Sequence, residues 1–410
     1  MTAPDIRALG ARAEAMVAEL AAISAESNRL VRLFLSPEHR RAADVVAKWM
    51  RDAGLAVSED ALGTVRGRWG NGRRLLIGSH IDTVIDAGKY DGPLGVIAGV
   101  LAAGHFVRAG KPLPFGIDVL AFGDEEGSRF PSTYSSSMAC AGCFEHEMLA
   151  FADRGGVTFA DALKAYGKSA AAIPAAAYPA REAAASVEVH IEQGPVLEAK
   201  GQPLGVVTGI VGQSRMRVVV TGKAGHAGTV PMNLRSDPLV GAAEMAITLE
   251  RIARRHPQDG MVGTVGRIEA SPGAVNIIPG QVSFTVDLRA LTDALRVAAI
   301  AQFQAEAQRI AKTRGLTVEF DLFHDVPTAV MAPALQDQLA ASIVALGHDP
   351  VRLPSGAGHD AQIMARLCPS AMLFLRCRGG ISHNPAEFTS TADMGLAVAA
   401  LIGFIERFKP

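Results

Sequence analysis

Apolar positions along the chain fall first at helical intervals and then in short continuous runs. Residues 5 to 23 and 38 to 53 carry helical spacing, and the second stretch ends at Gly54 in a C-cap position behind Lys48 and Arg51, so two helices are predicted. Short strands follow at 63 to 69 and 73 to 80, the latter built on Leu75, Leu76 and Ile77 after two arginines. Gly92 to Arg108 is apolar, rich in Ala and Gly, and closed by Gly110-Lys111-Pro112, the pattern of a helix buried against a sheet. Ile117 to Phe122 reads as another strand. This alternation predicts an α/β domain with a mainly parallel sheet, whose ligand sites lie beyond the carboxyl ends of its strands.

Between Lys168 and Ser186 the chain turns Ala- and Pro-rich and reads as a surface connector, after which Val187 to Ile191 and Val206 to Val211 resume the strand pattern. At Gly212 the organisation changes. Strand 214–221, helix 237–255, strands 261–269 and 281–289, helix 292–314 and strand 316–322 spell βαββαβ, a self-contained ferredoxin-like unit. The expected organisation is a discontinuous catalytic domain, residues 1–211 and 328–410, closing with a helix near Thr391 to Phe408. Residues 212–327 form the inserted domain, whose free sheet edge and helical face suit a lid or a dimerisation surface.

Composition narrows the partners. A chain of 410 residues with 49% hydrophobic content can fill two cores, and 40 basic against 41 acidic side chains leave a net charge of -1. No electrostatic footprint for nucleic acid or an anionic membrane is present, so a small-molecule substrate is expected. Met1-Thr2-Ala3-Pro4-Asp5-Ile6-Arg7 lacks a basic region followed by an apolar stretch, and no run approaches ~18 uninterrupted apolar residues, so the expected location is cytoplasmic. Four cysteines make no disulfide framework. Cys140 and Cys143, with His146, resemble half a zinc clip, but Cys368 and Cys377 are not paired as CxxC and leave it without its other half, so both read as helical packing residues.

The candidate chemistry is metal chemistry. In Gly78-Ser79-His80-Ile81-Asp82-Thr83 a buried strand delivers His80 and Asp82 to a sheet edge, and a loop returns Asp91, an imidazole and carboxylate set that suits Zn²⁺ or a neighbouring first-row ion. Glu125 and Glu126 follow the end of another strand, where adjacent acids point opposite ways, one toward a metal and the other toward water as general base. Taken alone, that acidic triplet is a solvated turn; beside His80 and Asp91 it is a ligand source. His190 lies on a strand between apolar residues, where a lone histidine is ordinarily a satisfied core group. His383 lies in a glycine-rich loop able to approach a ligand closely.

GSHIDT, YDGPLGV, DEEGSRF, HIEQGPVLE, GHAGTVPM, PGAVNIIPG, SGAGHD and GISHNPAE, in this order between residues 78 and 387, resemble the dinuclear metallohydrolases of the M20 peptidase superfamily. More narrowly they resemble its amidase branch, which holds allantoate amidohydrolase, N-carbamoyl-L-amino-acid hydrolase and β-ureidopropionase. The resemblance implies an aminopeptidase-like catalytic domain and two divalent ions, Zn²⁺, Mn²⁺ or Co²⁺. It further implies His80 and His190 on one ion, Glu126 and His383 on the other, Asp91 bridging, Asp82 orienting His80, and a cis Asp91-Gly92 peptide.

By the same resemblance Glu125 is the general base and His226 an oxyanion contact, either within its own subunit or from the partner in a homodimer formed through 212–327. Arg289 becomes the substrate-carboxylate clamp, with Asn276 and Gln213 at the same substrate end and Gly358 lining the pocket beside His359 and Asp360. The alternative for Arg289 is a surface charge, and for His226 a turn histidine. Peptidase members usually carry an acid where this chain has His190, which favours an N-carbamoyl or ureido carboxylate, allantoate first, over a peptide. N-carbamoyl-L-amino-acid hydrolase and β-ureidopropionase are the alternatives. A non-catalytic metal-binding protein is a remote one, because a binder needs no Glu125.

Overall fold

The computed structural model describes residues 4–256 and 260–410; Met1 to Ala3 of the N-terminal reading lie outside them. The chain divides into two compact units, one of Met1–Thr208 with Val330–Pro410 and one of Gly209–Ala329. These limits fall within three residues of those expected from sequence.

The first unit is built on a mixed sheet whose order runs Ala56–Glu59, Val65–Trp69, Gly116–Phe122, Arg74–His80, Ala183–Ile191, Ser370–Leu375, Leu204–Ile210. Its middle four strands are parallel, and antiparallel strands flank them. Every residue of Arg74–His80, Gly116–Phe122, Ala183–Ile191 and Ser370–Leu375 is buried, the condition of parallel strands covered on both faces. On one face Leu75, Ile77, Val119, Val187 and Val189 pack with the helices Ile6–Ala21, Pro37–Asp52, Pro93–Ala109 and Thr391–Arg407. On the other, Leu76, Leu120 and Phe122 meet Cys140, Tyr178 and Met364.

Helix Pro93–Ala109 lies close on the sheet because two of its residues lack side chains. A Cβ at Gly95 would stand 2.1 Å from the Val189 carbonyl oxygen, and one at Gly99 would touch Ile77 at 3.0 Å. Gly110 ends this helix in the left-handed conformation. The 168–186 segment is more ordered than its composition suggests. It contains a 3₁₀ helix, Ala170–Ala176, with Ile173 and Ala176 buried, and its last four residues already belong to the strand Ala183–Ile191.

The second unit is an antiparallel sheet in the order Ile268–Ser271, Gln281–Ala290, Gly212–Thr221, Thr317–Val326, covered by helices Pro238–Ala253 and Asp293–Arg314. Strand alternation divides it cleanly. Met216, Val218, Val220, Val282, Phe284, Val286 and Leu288 face the helices, which leaves Gln213, Arg215, Asp287 and Arg289 on the other face. The single strand expected over 261–269 is two, Val262–Thr264 and Ile268–Ser271, pairing with different stretches of Gln281–Ala290. Among the described residues the one cis peptide is Ser271–Pro272, so the expected cis Asp91–Gly92 bond is not found; Gly92 makes the turn with a φ of 81°, which glycine adopts freely.

Gly95→Val should lower the denaturant midpoint of the full chain by the equivalent of ~2 kcal/mol or more, because the branched side chain meets backbone and not a movable side chain. An unchanged midpoint would show that the helix has room the packing denies it.

Candidate metal centre

Parallel register assembles the centre. Ile77 pairs with Val187, so three residues further on His80 stands beside His190, their ring centroids 5.8 Å apart. Strand Gly116–Phe122, on the other side of Arg74–His80, runs out at Phe122 and releases Asp124, Glu125 and Glu126. The acids do not continue the strand as expected. Asp124 takes a left-handed φ of 63°, which turns the chain so that both glutamates point into the cluster.

Asp91 is the meeting point. Its Oδ1 lies 3.0 Å from His190 Nε2 and 3.6 Å from His80 Nε2, while its Oδ2 lies 3.2 Å from His383 Nε2. His383 Nε2 is in turn 3.3 Å from Glu126 Oε2, and His80 Nε2 is 3.9 Å from Glu125 Oε2. One carboxylate thus faces two separate ligand groups, His80 with His190 and Glu126 with His383.

These groups fit divalent cations. His80 and His190 are buried to about 1% exposure, yet neither Nε2 makes a hydrogen bond, an unusual state for a buried ring nitrogen. The other nitrogen of each is committed: His190 Nδ1 to the Ile191 carbonyl at 2.9 Å and His80 Nδ1 to the Asp82 carbonyl at 3.1 Å. That fixes which nitrogen is free to ligate. The orienting acceptor for His80 is therefore the Asp82 backbone oxygen; the Asp82 carboxylate stands 3.6 Å off and accepts instead from the Glu125 and Glu126 N–H groups at 3.3 Å each. Asp82 so positions imidazole and acids together.

The charges show the strain of gathering so many carboxylates. Burial raises Glu125 well above the usual carboxylate range, with the charges of Glu126, Asp360 and Asp91 adding to it and His80 opposing. Burial and Asp91 push Glu126 up to about 7. Burial would also raise Asp91, but its close contacts with the His190, His383 and His80 imidazoles outweigh it and hold it well below its ordinary value. The Asp91 contact raises His383 to about 9. Left-handed φ values recur at Asp124, Tyr134, Gln193 and His383, backbone strain concentrated at the site's own loops.

His359 is buried against His190 with ring centroids 4.5 Å apart and bonds Ser355 Oγ through Nε2 at 2.8 Å, so it supports the centre from behind. Gly358 is a packing position: a Cβ there would stand 1.9 Å from the Tyr134 hydroxyl. Several contributors were not singled out from sequence. Glu188 accepts from Ser79 Oγ at 2.9 Å and the Ala361 N–H at 2.8 Å, and Gln193 donates to Asp91 Oδ2 at 2.8 Å. Buried Arg32 donates to the carbonyls of Ile81, Leu20 and Ile23 at 2.6, 2.9 and 3.1 Å, pinning the segment after His80; its signal was a charge inside the apolar run Leu30 to Leu35. No metal-capable group among the described residues includes a cysteine, and Cys140 is a buried helical residue.

The remaining candidates belong to the second unit. Arg289 binds Asp287 through Nε at 2.9 Å and Nη2 at 3.1 Å, and Gln213 donates to Asp287 at 2.8 Å from the paired position on the next strand. His226 and Asn276 meet on a small ribbon, where His226 pairs with Ile277 and Ala227 N–H donates to the Asn276 carbonyl at 2.9 Å.

A parallel sheet delivering histidines and carboxylates to one end, converging on a shared aspartate, is a site of the metal-dependent hydrolase class. The chain belongs to the peptidase family M20/M25/M40, whose model matches residues 76–407. It is 42% identical to an allantoate deiminase of Arabidopsis thaliana, over 96% of this chain and 81% of that protein. It is 38% identical to an N-carbamoyl-L-amino acid amidohydrolase of Geobacillus stearothermophilus, over 92% of each. Among solved structures, an amidase of the hydantoinase/carbamoylase family from Burkholderia multivorans superposes with a TM-score of 0.89 at 31% identity over 97% of both chains.

Chelation should lower the unfolding temperature of the full chain, and restoring Mn²⁺ or Zn²⁺ to ~100 times its dissociation constant should raise it by roughly 5 °C. In Asp91→Ala, calorimetry should find that difference gone; a wild-type-sized shift in that variant would place the metal elsewhere.

Proposed function

We propose that the protein is a two-metal amidohydrolase that cleaves the ureido C–N bond of a carboxylate substrate, allantoate in first place. The observation that carries this reading is Asp91, whose two oxygens face two different ligand groups at 3.0 and 3.2 Å. In it, His80, His190 and Asp91 hold one divalent ion, Zn²⁺, Mn²⁺ or Co²⁺, and Glu126, His383 and Asp91 hold the other. Such ions, when bound, supply Lewis acidity toward the ureido carbonyl and lower the pKa of the attacking water. Glu125 takes the proton of that water and passes it to the leaving nitrogen.

Release of ureidoglycine, ammonia and CO₂ from allantoate fits the names of relatives at 42% and 40% identity. Hydrolysis of an N-carbamoyl-L-amino acid is the second reading, favoured by the relative of that name whose whole length is matched to 92%. Both substrates present a carboxylate, for which Arg289, with Gln213, is the proposed clamp, a role suited to a guanidinium's paired donors. Asp287 then serves as the group the substrate carboxylate displaces or joins.

His226 and Asn276 reach a substrate from the partner subunit. Their ribbon continues from the Gln281 end of strand Gln281–Ala290, whereas Arg289 lies eight residues along it, about 26 Å away at strand rise. That separation supports a reading in which a second copy completes the site. Exposed Met232, Leu234 and Val275 around that ribbon are apolar groups which a homodimer formed through 212–327 would cover.

Glu125→Ala should lose ~10²–10⁴-fold in kcat on allantoate or an N-carbamoyl-L-amino acid while metal content, read by elemental analysis, stays that of wild type. Loss of both ions would make Glu125 a ligand, and cleavage of a dipeptide alone by the wild type would remove the ureido assignment. Mixing inactive Glu125→Ala and His226→Ala chains should restore about a quarter of wild-type activity, since half the dimers are mixed and each has one complete site. Zero recovery, with mixed dimers verified by mass spectrometry, would place His226 in its own chain's site.

A further inference from the structure

Glu387, four residues beyond His383, ties together the loops that carry Asp91 and His383. Its side chain is buried to 4% exposure. Oε1 accepts the Tyr90 N–H at 2.9 Å and the Asp91 N–H at 3.1 Å. Oε2 takes Ser382 Oγ at 3.0 Å, and that same hydroxyl lies 2.8 Å from Asp91 Oδ2. Asp91 is therefore gripped twice from a loop nearly 300 residues away in sequence, once through its backbone and once through its carboxylate. Gln193 Nε2 closes the arrangement, 2.8 Å from Asp91 Oδ2 and 3.1 Å from Ser382 Oγ.

The space is fitted to this carboxylate. A Cβ on Gly88 would stand 2.2 Å from the Glu387 carboxyl carbon, so the Asp86–Asp91 loop closes over Glu387 only because residue 88 has no side chain. The loops bring no sheet or helix pairing of their own: residues 81 to 92 and 381 to 390 lie outside the regular strands and helices. This hydrogen-bond set holds Asp91 at its backbone N–H and at Oδ2.

We propose that Glu387 is a positioning residue for metal binding: it holds Asp91 in the orientation that lets one carboxylate serve two ions, and holds the His383 loop against it. The inference rests on the two-ion reading above. Ion binding between Asp91, Glu126 and His383 then depends on Glu387, although Glu387 touches no ion. Because the role is to accept from two backbone N–H groups, an amide oxygen can perform it and an alanine cannot.

The test uses the full chain as wild type, Glu387→Ala, Glu387→Gln and Gly88→Ala, each stripped by chelation and dialysed against graded free Mn²⁺. Bound metal per chain, the kcat and KM split, and the unfolding temperature of the stripped protein are measured. Glu387→Ala should bind one of two ions about 10–100-fold more weakly, with kcat recovered at excess Mn²⁺ and KM little changed. Glu387→Gln should restore binding to within about threefold of wild type, and Gly88→Ala, which displaces the carboxylate without removing it, should reproduce the alanine loss. Two ions at wild-type affinity in Glu387→Ala would overturn the proposal. So would a lowered unfolding temperature of the stripped variants with unchanged affinity per folded chain, the result of a tether that serves the fold alone. Wild type holding fewer than two ions would overturn the two-ion reading first, and this inference with it.

Discussion

Burying a carboxylate costs free energy unless positive charge or hydrogen bonds meet it, and the first unit of this protein gathers Asp82, Asp91, Asp124, Glu125, Glu188, Asp360 and Glu387 within one buried end of its sheet. Asp91 is where that cost is resolved. Its contacts with His80, His190 and His383 hold it ionised, and its two oxygens divide the surrounding ligands into two groups. Much of the rest follows from keeping this residue in place. Parallel strands set the two histidines side by side, Asp82 fixes the acids through their N–H groups, and Glu387 holds the Asp91 backbone.

A layered division of labour results. Strands supply position to within their register, and loops supply direction through conformations that side chains seldom adopt. Asp124 and His383 accept left-handed backbone at φ values of 63° and 54°, and in exchange Glu126 and His383 come within 3.3 Å of one another. Glycines at 88 and 95 let loop and helix approach closely enough for this. The second unit keeps its polar face, with Gln213, Arg215, Asp287 and Arg289, distinct from its packed face by strand alternation alone.

The main elements were legible in the pattern of apolar positions because buried parallel strands and their covering helices leave long, unbroken signals. The helices and strands that were expected have counterparts within a few residues of their limits, the central strand Ser370–Leu375 and the helix Pro333–Ala345 were not among them, and His80, Asp91, Glu126, His190 and His383 do converge. What escaped was whatever depends on contacts distant in sequence. Glu188, Gln193 and Glu387 read as ordinary polar residues until the sheet register and the loop at 379–389 bring them to Ser79 and Asp91. The Asp91–Gly92 peptide and the direction of the Asp82 carboxylate likewise depend on local backbone geometry that no residue pattern encodes. Ala- and Pro-rich composition hid the buried turn at Ala170–Ala176, since alanine marks core and surface alike.

The central claim is that one aspartate serves two ions. Crystals of the full chain grown with Mn²⁺ and measured at the manganese edge test it directly. The account predicts two anomalous peaks per chain, one among His80, His190 and Asp91 and one among Glu126, His383 and Asp91, about 3.5–4 Å apart. A single peak at full occupancy, or two peaks of which either lies away from Asp91, would contradict it.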